Sequence, residues 1–129
     1  MKRSSPEHDL QKSVVDLLNR VLPADAFFTA INPLPGSSPR AGANAKRLGV
    51  AAGVPDILIV HNGLSLWLEL KAKHRSATDV QREVHRKLLE AHRYPNEAYT
   101  RSGTVVVCKS IDEVRMALQS HRMTLEKAA

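Results

Sequence analysis

The chain has 129 residues, of which 43% are hydrophobic and 25% charged, and this predicts one folded domain over residues 1–129. No apolar run approaches the roughly 20 residues that cross a bilayer, and the first residues lack the apolar stretch of a secretion signal, so we expect a cytoplasmic protein without membrane association. The net charge of +6 favours a polyanionic partner, whereas an aromatic content of 4% argues against binding single strands by base stacking.

The first predicted helix begins at Ser5, Pro6 and Glu7, which supply an N-cap, a first-turn proline and an acidic residue near the positive end of the helix dipole. Apolar residues then recur at helical spacing and predict one buried face: Leu10, Val14, Leu17, Leu18 and Val21. Glu7 lies at the N-terminal edge of that face. Compensation of the helix dipole is the simplest role for Glu7.

Residues 26–31 predict a short strand, and residues 32–53 form the longest irregular segment. Because that segment contains three prolines and four glycines, it predicts no regular element beyond a possible helical turn at residues 43–48. Loops of this length inside compact domains tend to be functional. We expect its basic residues to meet phosphate groups, although a solvated loop remains an open alternative; these residues are Arg40, Lys46 and Arg47.

Two apolar runs on either side of Asn62 and Gly63 predict a β-hairpin. Asn-Gly is the strongest short hairpin signal, because both central residues of a type I′ turn have positive φ. With these two residues as the loop, strand pairing places Asp56 opposite Glu69, and alternation places Lys71 on the same face as Glu69. Two carboxylates and an ammonium group are therefore expected at the open end of the hairpin.

This grouping suggests a catalytic metal site. Like charges that face each other across strands cost up to roughly 1 kcal/mol, and a divalent cation would remove that cost. Asp56 and Glu69 offer the oxygen ligands that Mg²⁺ and Mn²⁺ prefer, and Lys71 could orient a water or stabilise charge on a phosphoryl group. Each motif alone also fits a structural role, since Asp after Pro often starts a strand and Glu-x-Lys is common on solvated strands. Their shared register favours catalysis.

The segment after the hairpin is basic, and Lys73, His74 and Arg75 are its candidate contacts with a polyanion. The six histidines show no zinc-ligand spacing, and the sequence contains neither a Gly-rich phosphate loop nor a nucleophile elbow. Among these histidines, His74 and His85 lie near the proposed site.

Two capping boxes, which begin at Thr78 and Ser110, predict the starts of two further helices. Gln81 belongs to the first box, and a capping role alone is the simplest interpretation of it. Residues 104–108 predict a buried strand between these helices, and a frayed tail is expected after Met123. The order α-β-β-β-α-β-α predicts an α/β fold with a mixed four-stranded sheet flanked by helices.

Residues 53–56 (Gly-Val-Pro-Asp) and 69–71 (Glu-Leu-Lys) resemble the PD-(D/E)xK nuclease signature, and the surrounding pattern resembles its VRR-NUC branch. That pattern also includes Glu7 with Gln11 in the first helix, residues 46–49 before Gly53, and Gln81 at the start of the next helix. The likeness covers about residues 5–120 and implies the restriction-endonuclease-like αβββαβ core. The segment 93–102, between the second predicted helix and the last strand, is longer than the short turn that family members usually have at that place.

The resemblance also implies roles for individual residues. Glu7, Asp56 and Glu69 would hold Mg²⁺ or Mn²⁺ together with the backbone carbonyl of Leu70. Lys71 would be the catalytic lysine, and Gln81 would support it. The DNA-binding residues would be Arg40, Lys46, Arg47, Lys73, His74 and Arg75.

The implied activity is that of a structure-specific DNA endonuclease that hydrolyses phosphodiester bonds at branched DNA such as four-way junctions. Short stand-alone members resemble Holliday junction resolvases and act as homodimers, so a homodimer is expected. Two alternatives remain open. One is a nuclease for simple duplex or single-stranded DNA, and the other is a non-catalytic DNA-binding module with the same fold.

Overall fold

A computed structural model describes residues 5–31, 39–92 and 103–127, and of residues 39–41 it describes the backbone. The elements in chain order are α1 (Pro6–Val21), β1 (Phe27–Ala30), α2 (Pro39–Arg47), β2 (Ile57–His61), β3 (Leu64–Leu70), α3 (Asp79–Ala91), β4 (Gly103–Cys108) and α4 (Ile111–Ser120). The long connection expected at residues 93–102 lies outside the described residues, as does the Arg40 side chain. None of the described helices is both long and apolar enough to cross a bilayer.

The four strands form one mixed sheet in the order β1-β2-β3-β4. β2 pairs antiparallel with both β1 and β3, whereas β4 runs parallel to β3 after the crossover through α3. The predicted mixed four-stranded α/β sheet with flanking helices is thus confirmed. Because β3 and β4 are parallel and β2 runs the other way, the ends of β3 and β4 lie at the same sheet edge as the start of β2.

One face of the sheet carries the hydrophobic core. Alternate residues of β2 and β3 point into this face, where α1 and α4 cover them. The side chains that are at most 1% exposed include Val14, Leu17, Leu18, Ile57, Ile59, Leu66, Leu68, Val114 and Leu118. Burial of each such aliphatic side chain contributes about 1.5–3 kcal/mol. The core therefore holds α1 firmly against the sheet, with its N-terminus at a defined place.

Helix α3 lies on the opposite face, towards which Trp67 and Glu69 point. The rings of Trp67 and His92, at the C-terminal end of α3, make an edge-on contact with centroids 6.4 Å apart. None of the described α3 side chains is fully buried. Its apolar residues Val84, Leu88 and Leu89 are half-buried.

The hairpin turn has the predicted conformation. Asn62 has φ +50° and Gly63 has φ +76°, the pair of positive values that a type I′ turn requires. The observed register, with Leu58 opposite Trp67 and the residues flanking the turn opposite each other, confirms the predicted pairing.

Gly53 allows the segment before β2 to pack closely on α3. Its φ is +84°, and a Cβ atom there would lie 2.9 Å from Cγ1 and 3.0 Å from the carbonyl oxygen of Val80. A side chain at this position would push the first turn of α3 away from the chain that leads into the site.

Two expectations about regular structure were wrong. The possible single turn at residues 43–48 is the helix α2, which starts earlier, at Pro39. Proline suits a first helical turn, and the interior Gly42 costs only about 1 kcal/mol. The tail is also not frayed directly after Met123, which is fully buried, because the N–H of Leu125 donates to the Val21 carbonyl at 2.8 Å.

Candidate active site

Asp56 and the end of β3 are joined directly. The N–H of Asp56 donates to the Leu68 carbonyl at 2.9 Å, which extends the ladder by one residue beyond β2. In return, Oδ2 of Asp56 accepts the N–H of Leu70 at 2.7 Å. The carboxylate is therefore held between the two strands at the open end of the hairpin, as the predicted register requires.

Glu69 is almost completely buried beside Asp56, with 1% of its surface exposed. Burial raises the pKa of Glu69 to about 8, aided by a hydrogen bond with Asp56 and by the negative charges of Asp56 and Glu7, while Lys71 opposes the shift. Without a cation, this carboxyl group is thus mostly protonated at neutral pH. A pair of carboxyl groups that cannot both ionise is what a bound cation would relieve.

Lys71 continues the chain past β3 and is also buried, with 7% of its surface exposed. Its N–H donates to the Cys108 carbonyl at 3.0 Å, so the parallel pairing with β4 fixes its backbone. Its positive charge acts on Glu69 and His85 together. A buried ammonium group beside a carboxyl pair matches the predicted grouping of Asp56, Glu69 and Lys71.

Glu7 reaches the same sheet edge from α1. Its Oε1 accepts the N–H of Ala72 at 3.3 Å, a contact between residues 65 positions apart in the chain. Its negative charge is one of those that raise the pKa of Glu69. The expectation that Glu7 approaches the hairpin mouth is correct in geometry. The same residue lies in the first turn of α1, where dipole compensation also applies.

Gln81 acts as a cap. Its side-chain oxygen accepts the N–H of Thr78 at 2.9 Å, and its own N–H donates to the Thr78 hydroxyl oxygen at 3.2 Å. These two bonds complete the capping box at the start of α3. The support for Lys71 that the resemblance implies stays a prediction.

His85, one helical turn after Gln81, contacts the site directly. Its Nε2 lies 3.0 Å from Oε1 of Glu69. Burial lowers the pKa of His85, and the charge of Lys71 lowers it further, against the opposing effect of Asp56. Sequence reasoning placed His85 near the site but gave it no role. Its spacing of four from Gln81, which puts both on one side of α3, was the available signal.

The predicted DNA contacts whose side chains are described are all exposed. Lys73, His74 and Arg75 follow the end of β3 at this edge, and Lys46 and Arg47 lie in the last turn of α2. A further cation, Lys109, was missed. Its Nζ donates to the Lys73 carbonyl at 3.5 Å. Lys109 follows β4 directly, and the parallel pairing of β3 and β4 brings it to this edge.

Among residues 5–31, 39–92 and 103–127, no group of three or more His, Cys, Asp or Glu side chains is arranged to hold a metal ion. Mg²⁺, however, is usually held by one or two carboxylates and keeps several waters. Asp56 and Glu69 supply such a pair, and the charges of Asp56 and Glu7 add to the burial that raises the pKa of Glu69. The donor set therefore fits a hard divalent cation. The resemblance adds the Leu70 backbone carbonyl to the ligand set, and the N–H of the same residue donates to Oδ2 of Asp56.

Comparison with protein-family models, with curated proteins and with solved structures gave no match to this chain.

Proposed function

We propose that this protein is a divalent-metal-dependent DNA endonuclease of the PD-(D/E)xK type, with a pattern that resembles the VRR-NUC branch and with the restriction-endonuclease-like core as its fold. One observation carries the proposal. Asp56, the buried Glu69 and the buried Lys71 converge at one sheet edge, where burial and the neighbouring carboxylate raise the pKa of Glu69. Such a grouping costs stability without a cation, and enzymes keep costly groupings of this kind at functional sites.

Asp56, Glu69 and the Leu70 carbonyl would hold Mg²⁺ or Mn²⁺, with Glu7 completing the set through the waters around it. When bound, the cation supplies polarisation of a phosphoryl oxygen and a lowered pKa for a coordinated water. Glu69 would hold the cation as a carboxylate, and its proton would pass to solvent. The ammonium group of Lys71 then orients the attacking water or stabilises negative charge that develops on the phosphate. Its burial strengthens that interaction.

The exposed cations explain how a phosphate backbone would reach this site. Lys73, His74 and Arg75 follow Lys71 directly, and Lys109 extends the group from β4. Lys46 and Arg47 lie in the last turn of α2, earlier in the segment that leads into Asp56. Contacts of this kind position a nucleic acid without reading its sequence. This supports a DNA substrate without sequence preference, and the choice of branched DNA such as a four-way junction comes from the resemblance.

A homodimer is part of the same proposal. One active site per chain makes one cut, and paired cuts across a junction need two sites. The substrate class and the dimer rest on the resemblance, whereas the metal chemistry also rests on the contacts at the sheet edge.

The test is cleavage of a panel of labelled substrates (four-way junction, flap, plain duplex, single strand) with Mg²⁺ or Mn²⁺, with solution mass measured in parallel. Wild type is expected to cut the junction best and to elute as a dimer. Lys71→Ala should abolish cleavage, whereas Lys127→Ala, a change of an exposed lysine after α4, should not. Equal products from wild type and Lys71→Ala would remove the role of Lys71.

A non-catalytic DNA-binding module is the second candidate, and the exposed cations around the edge favour it. It predicts salt-dependent DNA binding with no cleavage under either metal. A pure binder gains nothing from burying Glu69 beside Asp56, which is why the nuclease is preferred. Preferential cutting of duplex or single strands in the panel would instead identify a nuclease for unbranched DNA.

A further inference from the structure

His85 and Glu69 form the closest described contact between α3 and the carboxylate pair. The imidazole Nε2 lies 3.0 Å from Oε1 of Glu69, and the two side chains are 12% and 2% exposed. A hydrogen bond at this depth is shielded from water, so it constrains both side chains strongly.

The position of His85 is set by the packing of α3. The capping box of Thr78 and Gln81 fixes where the helix starts. Gly53 lets the first turn come against the chain before Asp56, with Val80 in the space that a side chain would fill. The edge-on contact of His92 with Trp67 anchors the other end. His85 therefore reaches Glu69 from a helix that is held at both ends.

The contact divides the two oxygens of Glu69 between two tasks. Oε1 faces His85, which leaves Oε2 for a cation. A buried carboxylate oxygen that does not face the cation needs a hydrogen-bond donor of its own. An imidazole N–H at Nε2 supplies that donor, and it fixes the rotation of the carboxylate about its side chain.

We propose that His85 is a positioning residue, which orients the Glu69 carboxylate for the divalent cation through an Nε2–H···Oε1 hydrogen bond. This inference rests on the proposed metal-dependent function. It does not follow from the signature residues, because His85 belongs to neither the Asp56 nor the Glu69–Lys71 segment.

The experiment measures Mn²⁺ affinity in the absence of DNA, by calorimetry and by the loss of the free-ion signal in electron paramagnetic resonance. The matched pair is His85→Gln and His85→Asn. Both carry the same amide, but the Gln amide nitrogen reaches about as far as Nε2, and that of Asn falls one bond short. His121→Gln serves as a control, because His121 lies at the far end of α4 from the site edge, about 15 Å along the helix from its start.

Loss of a group that orients a metal ligand typically costs 10–100-fold in metal affinity. His85→Asn should therefore bind Mn²⁺ about 10–100-fold more weakly than wild type. His85→Gln and His121→Gln should stay close to wild type. Circular dichroism of each variant without metal checks the fold. Should His85→Asn fail to fold, His85→Gln against His85→Leu makes the same comparison, since Leu fills the space and donates nothing.

The failures of the two proposals are distinguishable. If wild type binds no Mn²⁺, or if Asp56→Asn binds it equally well, the metal site itself is wrong. If wild type binds Mn²⁺, Asp56→Asn does not, and His85→Asn matches wild type, the metal site stands and the role of His85 is overturned. Equal weakening by Gln and Asn would likewise overturn it, because the effect would not depend on the reach of the donor.

Discussion

Oδ2 of Asp56 accepts the backbone N–H of Leu70 at 2.7 Å, one residue beyond the last ladder pair of β2 and β3. The side chain of Asp56, which precedes β2, thus accepts the last N–H of β3. The backbone N–H therefore orients the carboxylate through Oδ2 before any cation binds, and the other oxygen is the one that would meet a cation.

Asp56→Asn tests that arrangement. The Asn side-chain oxygen can still accept the Leu70 N–H, so the fold should persist, while the charge that a cation needs is lost. Loss of a group that only orients a metal ligand already costs about 10–100-fold in metal affinity or activity. Loss of a direct ligand should therefore lower junction cleavage at least about 100-fold. Initial rates with Mn²⁺ measure this, with circular dichroism as the control. Wild-type rates in this variant would exclude Asp56 as a ligand.

The stability of the metal-free protein should depend on pH through Glu69. Its folded-state pKa of about 8 lies above the ordinary 4.5. The contribution of this group to the free energy of unfolding is therefore complete below pH 4.5 and is lost as pH rises through about 8. The free energy of unfolding of wild type, measured with urea, should fall over that range more than that of Glu69→Gln, in which residue 69 does not titrate. Parallel curves would mean that the pKa of Glu69 is not raised.

Cation binding near neutral pH should release a proton. Calorimetry in two buffers with different ionisation enthalpies gives the number of protons released per Mn²⁺. We expect a value approaching one at pH ~7, because Glu69 with a pKa of about 8 enters the reaction mostly protonated. In Glu69→Gln the release should disappear together with most of the affinity.

Gly53→Ala and Gly49→Ala separate close packing from backbone strain. Both glycines have positive φ, +84° and +93°, but only at Gly53 would a Cβ atom meet Val80, while nothing lies within 4 Å of it at Gly49. Gly53→Ala should therefore cost about 1–3 kcal/mol more than Gly49→Ala in the free energy of unfolding. Denaturant titration measures the difference. Equal costs would show that α3 is not held against this segment.

Lys73→Ala should weaken DNA binding equally for all sequences and lower the slope of log affinity against log salt by about 0.9. Fluorescence anisotropy with Ca²⁺ in place of Mg²⁺ allows binding to be followed over a salt series. Arg20→Ala is the control, since Arg20 is exposed in the last turn of α1, at the end away from Glu7. A slope unchanged in Lys73→Ala and reduced in Arg20→Ala would place the DNA elsewhere.

The sequence predicted what depends on neighbouring residues or on strand pairing. Asn62-Gly63 predicted the turn and the register, and with it the meeting of Asp56 and Glu69. The contacts that helices make with this edge were predicted less closely. The approach of Glu7 was expected, but its bond to Ala72 depends on the packing angle of α1, and the contact of His85 with Glu69 depends on the distance of α3 from β3.

The place of Lys109 illustrates the same limit. It follows from the parallel pairing of β4 with β3, which the element order predicted, but no local motif draws attention to a single lysine after a strand. Helix α2 was underestimated because the glycine and proline content of its sequence suggests a loop. Local propensity was a weak guide there.

Trp67 is the only tryptophan of the chain, and it lies under α3 with its ring edge-on to His92. Its fluorescence therefore reports on one event, the seating of α3 on the sheet, without an added label. Since the same helix carries His85, stopped-flow emission on mixing with Mn²⁺ would show whether the helix tightens when the site fills, and how fast. The protein thus contains its own optical probe of site assembly.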